Sequence, residues 1–129
     1  MSGKKFLLDT NIVIAFFNRE ESVIERIKSA EIFIPSPALG EMYFGAEKSE
    51  HKKSNIEKID KLAQLVIVVP CDQTTTKFYG KIKNQLKLKG TPIPENDVWV
   101  AALSEQHQLV LVTRDKHFKA IEKLKTIEW

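Results

Sequence analysis

The amino-acid sequence predicts a three-layer α/β/α domain built on a central parallel sheet. Three observations point there. Short apolar runs alternate along the chain with segments of helical periodicity. The runs themselves are continuously apolar, as strands covered on both faces must be. No repeat, low-complexity tract or linker divides the 129 residues. A chain of this length buries roughly two-thirds of the surface its unfolded form exposes. That is enough for one domain spanning residues 1–129.

Each element has its own local signal. Residues 6–8, FLL, follow Lys4 and Lys5 and are stopped by Asp9, Thr10 and Asn11, types that favour strand exits and helix caps. They read as a buried strand ending at Asp9. Ile12, Val13, Ala15, Phe16 and Phe17 continue as a helix, and residues 19–30 make a second, with Val23, Ile24 and Ile27 at helical spacing. Residues 32–34 form the next strand, closed by Pro35. Ser36 reads as an N-cap with Pro37 at the first helical position, opening a helix to about Lys48.

Residues 52–65 place Ile56, Ile59, Leu62 and Ala63 at three- and four-residue steps, and the β-branched run 66–69 follows as a strand. A long helix after Asp72 carries Phe78, Ile82 and Leu86 on one face and ends near Gly90. TPIPEND is a loop set by two prolines, VWVAALSEQ a helix, and LVLVT the plainest buried strand of the chain. A short helix over 115–123 and a last strand near 125–127 complete the order.

Composition bounds the function. With 43% hydrophobic and 29% charged residues, the chain falls outside the disordered and fibrous classes. Twenty Lys and Arg against seventeen Asp and Glu give a net charge of +3, a mild basic excess that tolerates nucleic acid without demanding it. The lone cysteine, Cys71, cannot form an internal disulfide. Following Pro70 after an apolar run, it is expected as a buried structural thiol, which suits a reducing cytoplasm. No segment approaches the ~18–20 consecutive apolar residues that span a bilayer, and the N-terminus lacks a leader-like apolar core. A cytosolic protein without a membrane segment is expected.

Ligands of open parallel sheets bind outside the carboxyl ends of the strands. Four acids converge on that rim. Asp9 leaves the first strand, Asp115 leaves the LVLVT strand through Thr113 and Arg114, Asp97 opens the VWVAALSEQ helix, and Glu41 lies in the second turn of the helix after the second strand. Singly, each has a structural explanation: an acid at a helix start stabilises the macrodipole by roughly 0.3–1 kcal/mol, and Asp9 serves equally well as a cap. Jointly they do not. Two carboxylates about 4 Å apart repel by roughly 4 kcal/mol at an effective dielectric near 20, so a cluster of four calls for a cation. Carboxylate oxygens suit Mg²⁺ or Mn²⁺, and His51, His107 and His117 are scattered with no softer-metal spacing. One or two such ions activate a water and stabilise the leaving oxygen in phosphodiester hydrolysis.

LLDTNIVIAFF, SPALGEMYFGA, NDVWVAALS and LVTRDKHF, in this order, resemble the PIN-domain ribonucleases, most closely the VapC-type toxins of toxin–antitoxin pairs. The resemblance spans essentially the whole chain. It implies a five-strand parallel sheet and an acidic Mg²⁺ or Mn²⁺ site that cleaves RNA, with Asp9, Glu41, Asp97 and Asp115 as metal-site acids. It also implies supporting roles for Asn11 and Thr113, which otherwise read as helix caps. Some members carry a further acid just after the last one; here Lys116, His117 and Lys119 occupy that stretch, so a four-acid core is expected. A glycine common before the last strand is replaced by Glu122 and Lys123, which touches a turn.

The resemblance further implies a homodimer and a VapB-type antitoxin whose C-terminal segment covers the acidic rim. Ile12, Phe16, Phe17, Met42, Tyr43 and Phe44 are either its contacts or core residues. Lys77, Lys81, Lys83, Lys87 and Lys89 form either a solvated helix face or a phosphate track, with Lys83 and Lys87 as the RNA-binding candidates. Arg114 and Lys116 are nearer a scissile phosphate in sequence, though Arg114 can instead pair with a neighbouring acid. A haloacid-dehalogenase-type phosphatase needs a second Asp where Asn11 stands, and a receiver domain needs its acids in another order. The rival from a different class is a PIN fold that binds RNA or protein with weak or no nuclease activity, against which the presence of all four acids argues; a non-toxin PIN nuclease in RNA processing is the other alternative.

Overall fold

Five parallel strands form one sheet in the computed structural model, which describes residues 4–129. Residues 1–3, on which part of the N-terminal reading rests, lie outside the described residues. In chain order the elements are β1 (Lys5–Leu8), α1 (Thr10–Phe17), α2 (Glu21–Lys28), β2 (Glu31–Pro35), α3 (Ser36–Glu47) and α4 (Lys52–Leu65). Then come β3 (Ile67–Val69), α5 (Gln73–Lys89), α6 (Glu95–His107), β4 (Val110–Val112), a 3₁₀ turn (Lys116–Ala120) and β5 (Thr126–Ile127). The strand order β3-β2-β1-β4-β5 reverses between β1 and β4, so the chain opens a crevice between the carboxyl ends of those two strands.

Period-two alternation builds the two cores. Leu7 pairs with Leu111 and Leu8 with Val112. Leu7 and Leu111 face Ile82, Leu86, Val100 and Leu103 of α5 and α6; Leu8 and Val112 face Ile12, Val13, Met42 and Ile59 of α1, α3 and α4. Each fully buried side chain of this size contributes roughly 1.5–3 kcal/mol, which makes β1 and β4 rigid mounts for whatever leaves their ends. Among the described residues, no helix is long and apolar enough to cross a membrane.

Several local expectations change. The cap of α3 is Pro35, in extended conformation with φ −72° and ψ 140°, and Ser36 is already helical. The freed Ser36 hydroxyl accepts from the Cys71 backbone N–H at 3.3 Å. Cys71 is exposed rather than buried, because β3 ends at Val69 and Pro70 turns the chain outward. α6 starts at Glu95 with Pro94 as its cap, so Glu95, Asn96 and Asp97 form its first turn instead of ending a loop. The segment after Asp115 is a five-residue 3₁₀ turn, shorter than the expected helix.

Candidate active site

Asp9 is the N-cap of α1. Its Oδ1 accepts from the Thr10 N–H at 2.9 Å, while Oδ2 accepts from the Thr113 hydroxyl at 2.7 Å and from Asn11 Nδ2 at 3.4 Å. The backbone N–H of Asp9 reaches the Val112 carbonyl at 3.0 Å, extending the β1–β4 pairing into the crevice. Thr113 and Asn11 also bind the far bank: the Asp115 N–H donates to Thr113 Oγ1 at 3.1 Å, and the Arg114 N–H donates to Asn11 Oδ1 at 3.2 Å. These two polar residues lock the exits of β1 and β4 together.

Asp97 sits in the first turn of α6 and is 8% exposed; Asp9 is 3% exposed. Asp115 caps the 3₁₀ turn without a side-chain capping bond, which leaves its carboxylate on the exposed rim. Glu41 is exposed on α3, and its Oε1 accepts from Asn96 Nδ2 at 2.5 Å. Asn96 also donates to the Pro37 carbonyl at 3.0 Å, clasping α3 to α6.

The charges of the acids act on one another across the crevice. Burial, with smaller contributions from the charges of Asp97 and Asp115, pushes the Asp9 carboxyl up to about 6 against the pull of the Thr113 and Thr10 hydrogen bonds. Burial likewise raises the Asp97 carboxyl above its ordinary range; its His117 contact lowers it, and the charges of Glu41 and Asp115 raise it. Among the described residues, no Lys or Arg pairs with any of the four.

A divalent cation fits one part of this donor set, which includes Asp97 and Asp115 but neither Asp9 nor Glu41. One oxygen each from Asp97 and Asp115 and a ring nitrogen of His117 lie within 4.8 Å of one another. Among the described residues the buried Thr10 hydroxyl beside Asp9 has no partner, a donor still available to a bound water. The sequence reading missed two participants. His117 stands 2.6 Å from Asp97 through Nε2, so the histidines are not all remote from the acids; its only sequence signal was its place two residues after Asp115. Asn96 was visible only as the neighbour of Asp97.

The basic candidates separate. Arg114 forks onto both carboxylate oxygens of Glu20, at 2.8 and 3.2 Å, and its Nε donates to the Trp129 carbonyl at 3.2 Å. Lys83 pairs with Glu95 at 2.5 Å and Lys89 donates to the Ala120 carbonyl at 2.7 Å, whereas Lys87 and Lys116 are exposed. Of the apolar candidates, Ile12 and Met42 are core residues, Phe16 and Phe17 are half-buried, and Tyr43 donates to Asp60 at 2.5 Å. Phe44 is 65% exposed. A groove of about 320 Å³ runs beside Glu41, lined by Ile14, Phe17, Met42 and Ala46, with Thr10 also on its wall.

The comparisons with known proteins agree with this fold. The PIN domain family matches residues 6–124. The chain is 31% identical over 129 residues to Ribonuclease VapC2 of Haemophilus influenzae, covering 97% of this chain and 98% of that one. It is equally similar, with the same coverage, to the tRNA(fMet)-specific endonuclease VapC of Shigella flexneri. Among solved structures, VapBC2 from Rickettsia felis bound to a promoter DNA fragment has a TM-score of 0.90 at 29% identity, covering 97% of this chain and 98% of that chain. DNA-bound VapBC from Salmonella typhimurium gives 0.90 at 30% identity, covering 98% of both. An acidic crevice at the strand-order reversal and near full-length similarity lead to one assignment: the chain belongs to the PIN-domain family, among its VapC ribonucleases.

Proposed function

We propose that residues 1–129 act as one PIN domain, a Mg²⁺- or Mn²⁺-dependent endoribonuclease that serves as the toxin of a VapBC-type pair in the cytoplasm. The observation that carries this reading is that Asp9 and Asp97 are buried beside Asp115 and Glu41 with no Lys or Arg paired to any of the four among the described residues. A cation joining such an arrangement relieves the mutual repulsion of its carboxylates. Asp9, Glu41, Asp97 and Asp115 would hold the ion. When bound, it would supply a polarised water and charge stabilisation at the phosphodiester.

The chain's own residues do the positioning. Thr113 and Asn11 fix the Asp9 carboxylate, and Asn96 holds Glu41 across the crevice from α6. Arg114, committed to Glu20, braces the exit of β4 rather than reaching out to substrate. Exposed Lys116 and Lys87 are left to meet RNA phosphates, and Lys83 joins them only by releasing Glu95. RNA affinity should therefore fall as salt rises.

The R. felis and S. typhimurium neighbours are VapBC assemblies. By analogy, the groove beside α1 and α3 receives a segment of a VapB-type antitoxin, with exposed Ile14 and half-buried Phe17 as apolar contacts, and the toxin works as a homodimer. The test is to express the wild type and Asp9→Asn side by side and sequence RNA ends in each culture. The wild type should slow growth and yield metal-dependent ends absent from the variant. No difference between the cultures would favour a PIN fold that binds without cutting.

A further inference from the structure

The crevice of four acids also holds an imidazole, that of His117, and nothing in the hydrolytic scheme uses it. His117 lies on the 3₁₀ turn, one residue before Phe118, which is fully buried and packs its ring 4.9 Å from the imidazole. The turn is therefore anchored and the imidazole is carried on a fixed mount. Its side chain is 35% exposed, so it is not a core histidine satisfied by packing. Nε2 lies 2.6 Å from Asp97 Oδ2, and a ring nitrogen, an Asp97 oxygen and an Asp115 oxygen all lie within 4.8 Å of one another.

The three ligand atoms come from two elements, α6 and the segment after β4, that the fold brings together across many residues. Carboxylate oxygens alone suit Mg²⁺, which keeps several waters and gains little from nitrogen; Mn²⁺ accepts oxygen and imidazole together. Resting on the metal-dependent reading above, we propose that His117 is a nitrogen ligand of the site and makes it prefer Mn²⁺ over Mg²⁺. Ligation uses Nε2 with the ring proton on Nδ1. The competing role is a hydrogen bond that merely orients Asp97.

Titrating Mn²⁺ into the metal-free wild-type protein and recording electron spin-echo modulation separates these roles. A directly bound ¹⁴N should be seen in the wild type, retained in His51→Ala and His107→Ala, and lost in His117→Ala. By calorimetry, His117→Ala should weaken Mn²⁺ about tenfold while Mg²⁺ changes no more than about twofold. Bound Mn²⁺ without ¹⁴N coupling in the wild type would overturn the proposal and leave the acidic metal site standing. So would equal losses of both ions in His117→Ala, which mark an orienting role. Failure of the wild type to bind Mn²⁺ would instead remove the metal-dependent reading and this inference with it.

Discussion

Among the described residues two α-helices, α1 and α5, are capped by an aspartate, and the two aspartates behave oppositely. At the β3–α5 junction, Asp72 accepts from the Thr75 N–H at 3.0 Å and from Gln106 Nε2 at 3.1 Å, within a reciprocal capping box. Those bonds, the Thr75 backbone first, hold its carboxyl below the ordinary range. At the β1–α1 junction, Asp9 makes a comparable set of bonds, yet burial outweighs them and its carboxyl rises to about 6. The same residue type in the same capping position strengthens one helix start and weakens the other. Local chemistry is alike; what differs is the depth of the crevice and the acids sharing it. A helix start that works against stability is a mark of function.

The largest expected effect separates the junctions outright. Asp9→Asn should cut metal-dependent RNA cleavage by more than ~100-fold, since even residues behind a metal's ligands typically matter 10- to 100-fold. Asp72→Asn should leave cleavage nearly unchanged. Measuring both on one RNA substrate at fixed Mn²⁺ tests the contrast.

Stability should move the other way. The Asp9 carboxyl titrates higher folded than unfolded, from 3.8 to about 6, so the folded chain binds the extra proton and loses stability as pH rises through that window. The cost is absent below pH ~4 and complete above ~6, at about 3 kcal/mol for a shift of this size. Asp9→Asn should therefore stabilise the metal-free protein at pH 7.5 and lose that gain at pH 4. Urea melts in chelator at both pH values provide the check.

Thr113→Val removes the hydroxyl that donates to Asp9. Asp9 should then titrate still higher, and cleavage should fall about tenfold, most strongly at the acidic end of the pH profile. A pH-independent loss would mean that Thr113 only packs. The smallest effect belongs to Asp72→Ala, which should lower the melting temperature by a few degrees at neutral pH. Its folded-state carboxyl lies low, so the wild-type advantage should persist above the ordinary carboxylate range and vanish as pH falls through the folded value.

Much of this was legible in the sequence. Buried strands announce themselves as apolar runs, and α4 occupies the same residues, Lys52–Leu65, that its spacing predicted. The four acids could be assigned to one rim because each follows or opens an element whose direction the parallel sheet sets. Side-chain partners were harder to see. Whether Arg114 reaches out to RNA or back to Glu20 depends on where α2 begins, which no local pattern encodes. Ser36 lost its capping role to Pro35 for a backbone reason, and Cys71 came to the surface because an edge strand stopped after three residues. His117 escaped notice because metal spacing is usually sought within one helix or loop, and its partner Asp97 comes from another element.

The hydrogen bond from Thr113 to Asp9 joins residues separated by 104 positions. During synthesis the first strand and its aspartate therefore emerge 104 residues before the hydroxyl that holds that aspartate. The acids can assemble only after Asp115 has left the ribosome. A product that stops before Thr113 lacks both Asp115 and the hydroxyl that fixes Asp9.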